Sequence, residues 1–110
     1  MKLKQGVNPK GVCREIWYAR GVIDVIYHMM GYNGVATSMN DGVHGPNSLH
    51  PKGRATDERT RDLSDEDRNI IFQRIKSFLD PQGFDTVLER DHIHCEFDPK
   101  EGEEFLTFVP

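Results

Sequence analysis

Two segments late in the chain, Phe84 to Leu88 and His92 to Phe97, read as strands separated only by Glu89, Arg90 and Asp91. A link this short closes an antiparallel hairpin, because a parallel pair needs a crossover of a dozen or more residues. Strand alternation then sets His92 and His94 on one face and Ile93 on the other, with Cys95 also opposite His94. Asp98-Pro99 ends the second strand. Any fold for this chain must accommodate a hairpin that presents two imidazoles side by side.

The rest of the chain supplies helices to cover that hairpin. From Arg14 to Met30 the apolar residues Ile16, Ala19, Val22, Ile23, Ile26 and Met30 recur at three- and four-residue steps, one face of an amphipathic helix. Gly31 is placed to end it, and Asn33-Gly34 marks a turn. Val35 to Ser38 reads as a short strand, Asn40 to Asn47 as a loop rich in Gly, Asn, Asp and Pro, and Arg54 to Arg59 as a second strand. Ser64 with Asp67 three residues on resembles a capping box and opens a second helix. Its expected core face is Ile71, Ile75, Phe78 and Leu79, and Asp80-Pro81-Gln82-Gly83 stops it. Short links and few crossovers predict an α+β fold, a small antiparallel sheet with helices packed on one side. The 110 residues make one domain, residues 1–110, with a thin core. Phe105, Leu106, Phe108 and Val109 near the end are expected to dock as an edge element or to fray.

Composition narrows the classes of function. The formal net charge is −4, and the arginines 54, 59, 61 and 68 are interleaved with Asp57, Glu58, Asp62, Asp65, Glu66 and Asp67. That mixture reads as an ion-paired, solvated surface, so no nucleic-acid partner is expected. The most apolar stretch, Ile16 to Met30, is interrupted by Arg20, Asp24 and His28, so no membrane insertion is expected. No apolar run follows Met1-Lys2-Leu3-Lys4-Gln5, which predicts cytoplasmic synthesis without a signal peptide. Cys13 and Cys95 are too few for a disulfide scaffold and are read as free thiols, Cys95 in the core. His28 is read as structural, and Trp17 and Tyr18 as core and helix surface.

Two segments carry chemistry. Ser48-Leu49-His50-Pro51-Lys52-Gly53-Arg54-Ala55-Thr56-Asp57 sets an imidazole and a carboxylate seven residues apart, and both are good zinc ligands. Small Ala55 between them leaves room for two backbones to approach. The other is Asp91-His92-Ile93-His94. Two histidines on one face of a buried strand are costly without partners. In a chain that also offers His50 and Asp57, the pattern points to a metal.

The pattern Ser48-x-His50-x-x-Gly53-x-Ala55-x-Asp57, followed by His92-Ile93-His94-Cys95, resembles the zinc peptidases that include D-alanyl-D-alanine carboxypeptidases, dipeptidases and the L-alanyl-D-glutamate peptidases of phage endolysins. The hedgehog signalling domain shares this fold and zinc site. The resemblance implies a zinc ion held by His50, Asp57 and His94, with one position open for water or substrate. His92 then sits beside the metal as a supporting or oxyanion-stabilising group, or exchanges roles with His94. The peptidases carry their general base three residues before the last ligand, where this chain has Asp91. Glu89, three before His92, is the rival, while the hedgehog-like position further upstream holds Leu88. Ser48, Arg54 or Arg59, and His44 are the candidate substrate contacts. The implied activity is a zinc metallopeptidase, a carboxypeptidase or endopeptidase on peptidoglycan peptides, expected to be monomeric and to act after lysis or within a phage particle. The alternative is a non-catalytic zinc module of the same fold, used for partner binding or structure.

Overall fold

The computed structural model describes residues 2–39 and 53–99. In chain order these residues form β1 (Lys2–Leu3), α1 (Arg14–Met29), β2 (Val35–Ser38), β3 (Ala55–Arg59), α2 (Asp65–Leu79), β4 (Phe84–Leu88) and β5 (His92–Phe97). The five strands make one sheet in the order β1-β2-β3-β5-β4. Its last four strands pair antiparallel, and β4 and β5 form the expected hairpin with Thr86 opposite Cys95. The expectation of a purely antiparallel sheet needs correction, because β1 pairs parallel with β2. Two residues are too few to show an alternation in sequence. They are held by backbone bonds such as Lys4 N–H to the Ala36 carbonyl at 2.8 Å.

Both helices cover the same face of the sheet. The core joins Ile16, Ala19, Ile23 and Tyr27 of α1, Ile71, Ile75 and Leu79 of α2, and Ala36, Phe84, Ile93 and Cys95 of the strands. Ser64 caps α2 by accepting from the Asp67 amide at 3.1 Å, an arrangement worth about 1 kcal/mol. At the other end Asp80 opens a 3-10 turn, and Gly83 closes it with φ of 93°, a left-handed conformation that favours glycine. Asp80 Oδ1 also accepts from the Thr86 amide at 3.1 Å and hydroxyl at 2.8 Å, which ties the end of α2 to β4. Phe78, expected in the core, is instead 52% exposed. It lies on the outer rim of α2, where it borders an apolar groove with Trp17 and Val25. No helix among the described residues is long and apolar enough to cross a membrane.

The core also holds a charge pair. Arg20 lies on the stripe Ile16, Ile23, Tyr27 of α1, and Glu58 lies on the helix-facing side of β3; both side chains are fully buried and bonded to each other. Burial pulls the Arg20 guanidinium down to about 10, still charged at neutral pH. Gly34 makes room for the pair, since a Cβ there would lie 2.8 Å from Glu58 Oε1. A buried pair contributes little net stability, but a lone buried charge is expensive. Glu58→Ala is therefore expected to destabilise the fold by about 3–5 kcal/mol, whereas the double variant Arg20→Met, Glu58→Leu should lie within about 1–2 kcal/mol of wild type. Urea unfolding of the single and double variants checks this; equal losses in both would show that the charges do not act as a pair.

Candidate metal centre

The β3–β5 register sets Asp57 opposite His94 and Arg59 opposite His92. Alternation sends Thr56 and Glu58 toward the helices, where both are fully buried, and Asp57 toward the face that the helices leave open. On that face Asp57 Oδ1 and His94 Nδ1 are 2.8 Å apart, and the other ring nitrogen of His94 is 2.8 Å from Glu96 Oε1. His92 stands next along the strand, with Nδ1 2.7 Å from Asp91 Oδ1 and Nε2 3.6 Å from Asp57 Oδ1. The side chains of His94 and Asp57 are 17% and 12% exposed, whereas that of Asp91 is 79% exposed.

Each charge follows from its neighbours. The hydrogen bond with Asp57 lifts His94 to about 9 against the opposing effect of burial, with Glu96 adding to the rise. The hydrogen bond with His92 holds the Asp91 carboxyl below its ordinary value. Burial pushes the Cys95 thiol far up, in keeping with an inert core residue and not a ligand.

Residues of the loop and strand before Asp57 are shaped for close packing. Gly53 has φ of 70°, its carbonyl accepts from the Cys13 amide at 2.8 Å, and a Cβ there would collide with the Gly11 carbonyl oxygen. Ala55 is fully buried. On the β2 side the register shifts between Ala36 and Ser38, a bulge that re-aims the strand edge beside the site.

Imidazole and carboxylate are donor types that zinc accepts. Zinc–nitrogen and zinc–oxygen bonds of roughly 2.0–2.2 Å at a tetrahedral angle separate two ligand atoms by about 3.3 Å. His94 Nδ1 and Asp57 Oδ1 approach that spacing, and a side-chain adjustment of about half an ångström would admit the ion. Glu96 on the remoter nitrogen is placed as a carboxylate partner that would orient the imidazole and fix its tautomer if a metal were bound. Among the described residues no group of three or more His, Cys, Asp or Glu side chains is arranged to hold a metal. The expected third ligand, His50, and the expected substrate contacts Ser48 and His44 lie outside the described residues.

The other expected residues divide. Of the two histidines that compete for the ligand position on β5, His94 is nearer to Asp57 and has Glu96 behind it. Asp91 bonds His92 rather than the His94–Asp57 pair. Glu89 is exposed, and its backbone closes the hairpin by donating to the His92 carbonyl at 2.9 Å. Arg54 stacks 5.7 Å over the ring of Phe97, on the helix side of the sheet, whereas Arg59 follows Asp57 on the open face. The expected ion-paired surface is also different in kind. Arg68 donates to the Glu89 and Arg90 carbonyls and clamps the hairpin link, and Arg59 and Arg61 line a cleft beside His92. Glu96 was missed, although the alternation that pairs His92 with His94 extends to it two residues further on. No protein-family model matches the chain, and no curated protein matches it.

The raised value of His94 has a definite sign. A group whose folded value of about 9 lies above its ordinary 6.5 contributes stability that is complete below pH 6.5 and lost as pH rises through about 9. In the metal-free protein the stability difference between wild type and His94→Gln should therefore shrink across that window, measured by urea unfolding in chelator. A difference that stays constant would mean that the ring carries no extra proton. Zinc must displace the same proton, so its apparent affinity should rise with pH over the same range.

Proposed function

We propose that this chain is a zinc-dependent peptidase of the fold shared by D-alanyl-D-alanine peptidases and hedgehog-type domains, acting on bacterial cell-wall peptide. The observation that carries the reading is the cross-strand contact of His94 with Asp57, backed by Glu96. Both residues stand at ligand positions of the two-part motif, and they meet on the face of the sheet that the helices do not cover.

His50, Asp57 and His94 would hold the ion, which when bound polarises the scissile carbonyl and lowers the pKa of a water to about 7. Asp91 Oδ1 holds Nδ1 of His92, so the ring's other nitrogen is turned toward Asp57. The Asp91–His92 pair is thus the proton carrier of the site. His92 Nε2 takes and returns the proton, and Asp91 fixes the tautomer and balances the charge when the ring is protonated. In this reading Asp91 acts through His92, and Glu89 serves the hairpin backbone. The resemblance implies the acid as the direct base, whereas in this reading it acts through His92.

The test joins elemental analysis to cleavage of purified peptidoglycan peptides by wild type, His50→Ala and Asp91→Ala. Wild type and Asp91→Ala are expected to carry about one zinc per chain, and His50→Ala none. Only wild type should cleave at full rate, with Asp91→Ala slower by roughly 10²–10⁴-fold. Zinc without cleavage of any peptide would favour the non-catalytic module. Protein that has never met chelator and carries no metal would overturn the reading.

A further inference from the structure

The helix layer carries an apolar groove of about 510 Å³. Two neighbouring rows of α1, Trp17, Gly21 and Val25 in one and Tyr18, Val22 and Ile26 in the other, line it together with Phe78 of α2. Trp17 and Val25 are 37% and 58% exposed. With Phe78 they make three of the six large exposed hydrophobics among the described residues, so exposed apolar surface gathers at this one place. Gly21 sits between Trp17 and Val25, and a Cβ there would meet nothing within 4 Å. Glycine inside a helix is unfavourable relative to alanine, and none of the described residues crowds this position. The space above Gly21 is open to an occupant.

We infer that the chain's own residues 105–109 seat in this groove and strap α1 to α2. They lie outside the described residues, which reach Pro99. The last described strand ends at the border of the groove. Phe97 packs on Phe84 with ring centroids 5.1 Å apart, and Phe84 stacks on Tyr18 at 6.4 Å. The Asp98 amide donates to the Gly83 carbonyl at 3.1 Å. Next to Gly83, the Gln82 side chain accepts from the Tyr18 hydroxyl at 3.1 Å and donates to the Phe78 carbonyl at 2.9 Å. The end of β5 thus lies beside the turn that holds one lining residue of each helix. Six residues from Pro99 to Phe105 reach up to about 20 Å. That exceeds the roughly 12 Å that α1 rises between Trp17 and Val25. Lys100-Glu101-Gly102-Glu103-Glu104 is a polar link suited to water, and Phe105-Leu106-Thr107-Phe108-Val109 brings four apolar side chains in five residues. Four extended steps span about 13–14 Å, close to the length of the groove along α1. An apolar cavity of roughly 150 Å³ holds one benzene ring, so a groove of about 510 Å³ has room for both phenylalanine rings and an aliphatic side chain. A second copy is a poorer occupant, since a stable interface takes about 20–30 residues a side and this groove is lined by seven.

Trp17 is the sole tryptophan of the chain, so its emission reports this groove alone. In the dilute full chain it is expected to be that of a shielded indole. Replacing both rings, Phe105→Ser with Phe108→Ser, should shift the emission to the red and raise acrylamide quenching several-fold, with the far-UV circular dichroism unchanged. Gly21→Leu raises helix propensity, which favours the fold, while its side chain fills the seat. In that variant the ring-proton signals of Phe105 and Phe108 should move to unfolded-peptide values. In wild type the same rings should show NOEs to the Trp17 indole, and a mixture of labelled and unlabelled chains should show that these arise within one chain. NOEs between chains would overturn the inference and give the groove to a second copy. Emission and quenching equal in wild type and the double serine variant, or no NOE from either ring to Trp17, would overturn it as well and leave the groove open to a different partner.

Discussion

The register of β3 against β5 is the constraint on which the rest of the molecule depends. With Asp57 opposite His94, Glu58 necessarily stands opposite Ile93 on the other face. A slip of one residue would exchange the faces. Asp57 would then enter the helix layer without a cation, and Glu58 would leave Arg20 alone in the core. Both outcomes strand a buried charge, which costs several kcal/mol each. The Arg20–Glu58 pair therefore acts less as a source of stability than as a lock on the one alignment that assembles the site.

Other contacts transmit that alignment outward. The Tyr27 hydroxyl donates to the Arg59 carbonyl at 2.9 Å, so α1 holds the end of β3 beside His92. Arg68 of α2 holds the carbonyls of the hairpin link, immediately before Asp91. Each helix thus fixes one half of the open face through a backbone carbonyl, while its apolar stripe fills the core. The Asp91 carboxylate is exposed, yet its backbone is anchored by Thr60 and its oxygen by His92. Positioning a group by its backbone leaves its charged end in water, where ionisation carries little desolvation cost.

What sequence made legible follows from the range of each signal. The strands Phe84–Leu88 and His92–Phe97 and the helix cap at Ser64 are local patterns, and they appear where alternation and capping chemistry place them. The α+β layering follows from link length. Local patterns miss what depends on a distant partner. Arg20 reads as an interruption of an apolar stretch, and only Glu58, 38 residues away, makes it a core residue. Lys2–Leu3 becomes a strand only because Val35–Ala36 offers an edge. Phe78 shares the helical period of Ile75 and Leu79 but falls beyond the width of the sheet, so it ends in the outer groove with Trp17. For the site, Asp57 and His94 were legible as a pair because strand parity and a motif agree. The bond from Asp91 to His92 was not, since parity fails at the mouth of a hairpin.

The electrostatics of the open face favour a positive charge beside His94. His94 lies between two carboxylates, and all three side chains are only partly hydrated. Two neighbouring carboxylates in such a setting repel each other unless a positive charge stands between them. In the metal-free protein the hydrogen bonds to Asp57 and Glu96 favour the protonated ring of His94 against the opposing effect of burial. A divalent ion at Nδ1 would supply more charge at the same place, with the Glu96 contact unbroken, because that contact uses the other nitrogen. The proton and the proposed zinc would thus compete for the same position at His94 Nδ1.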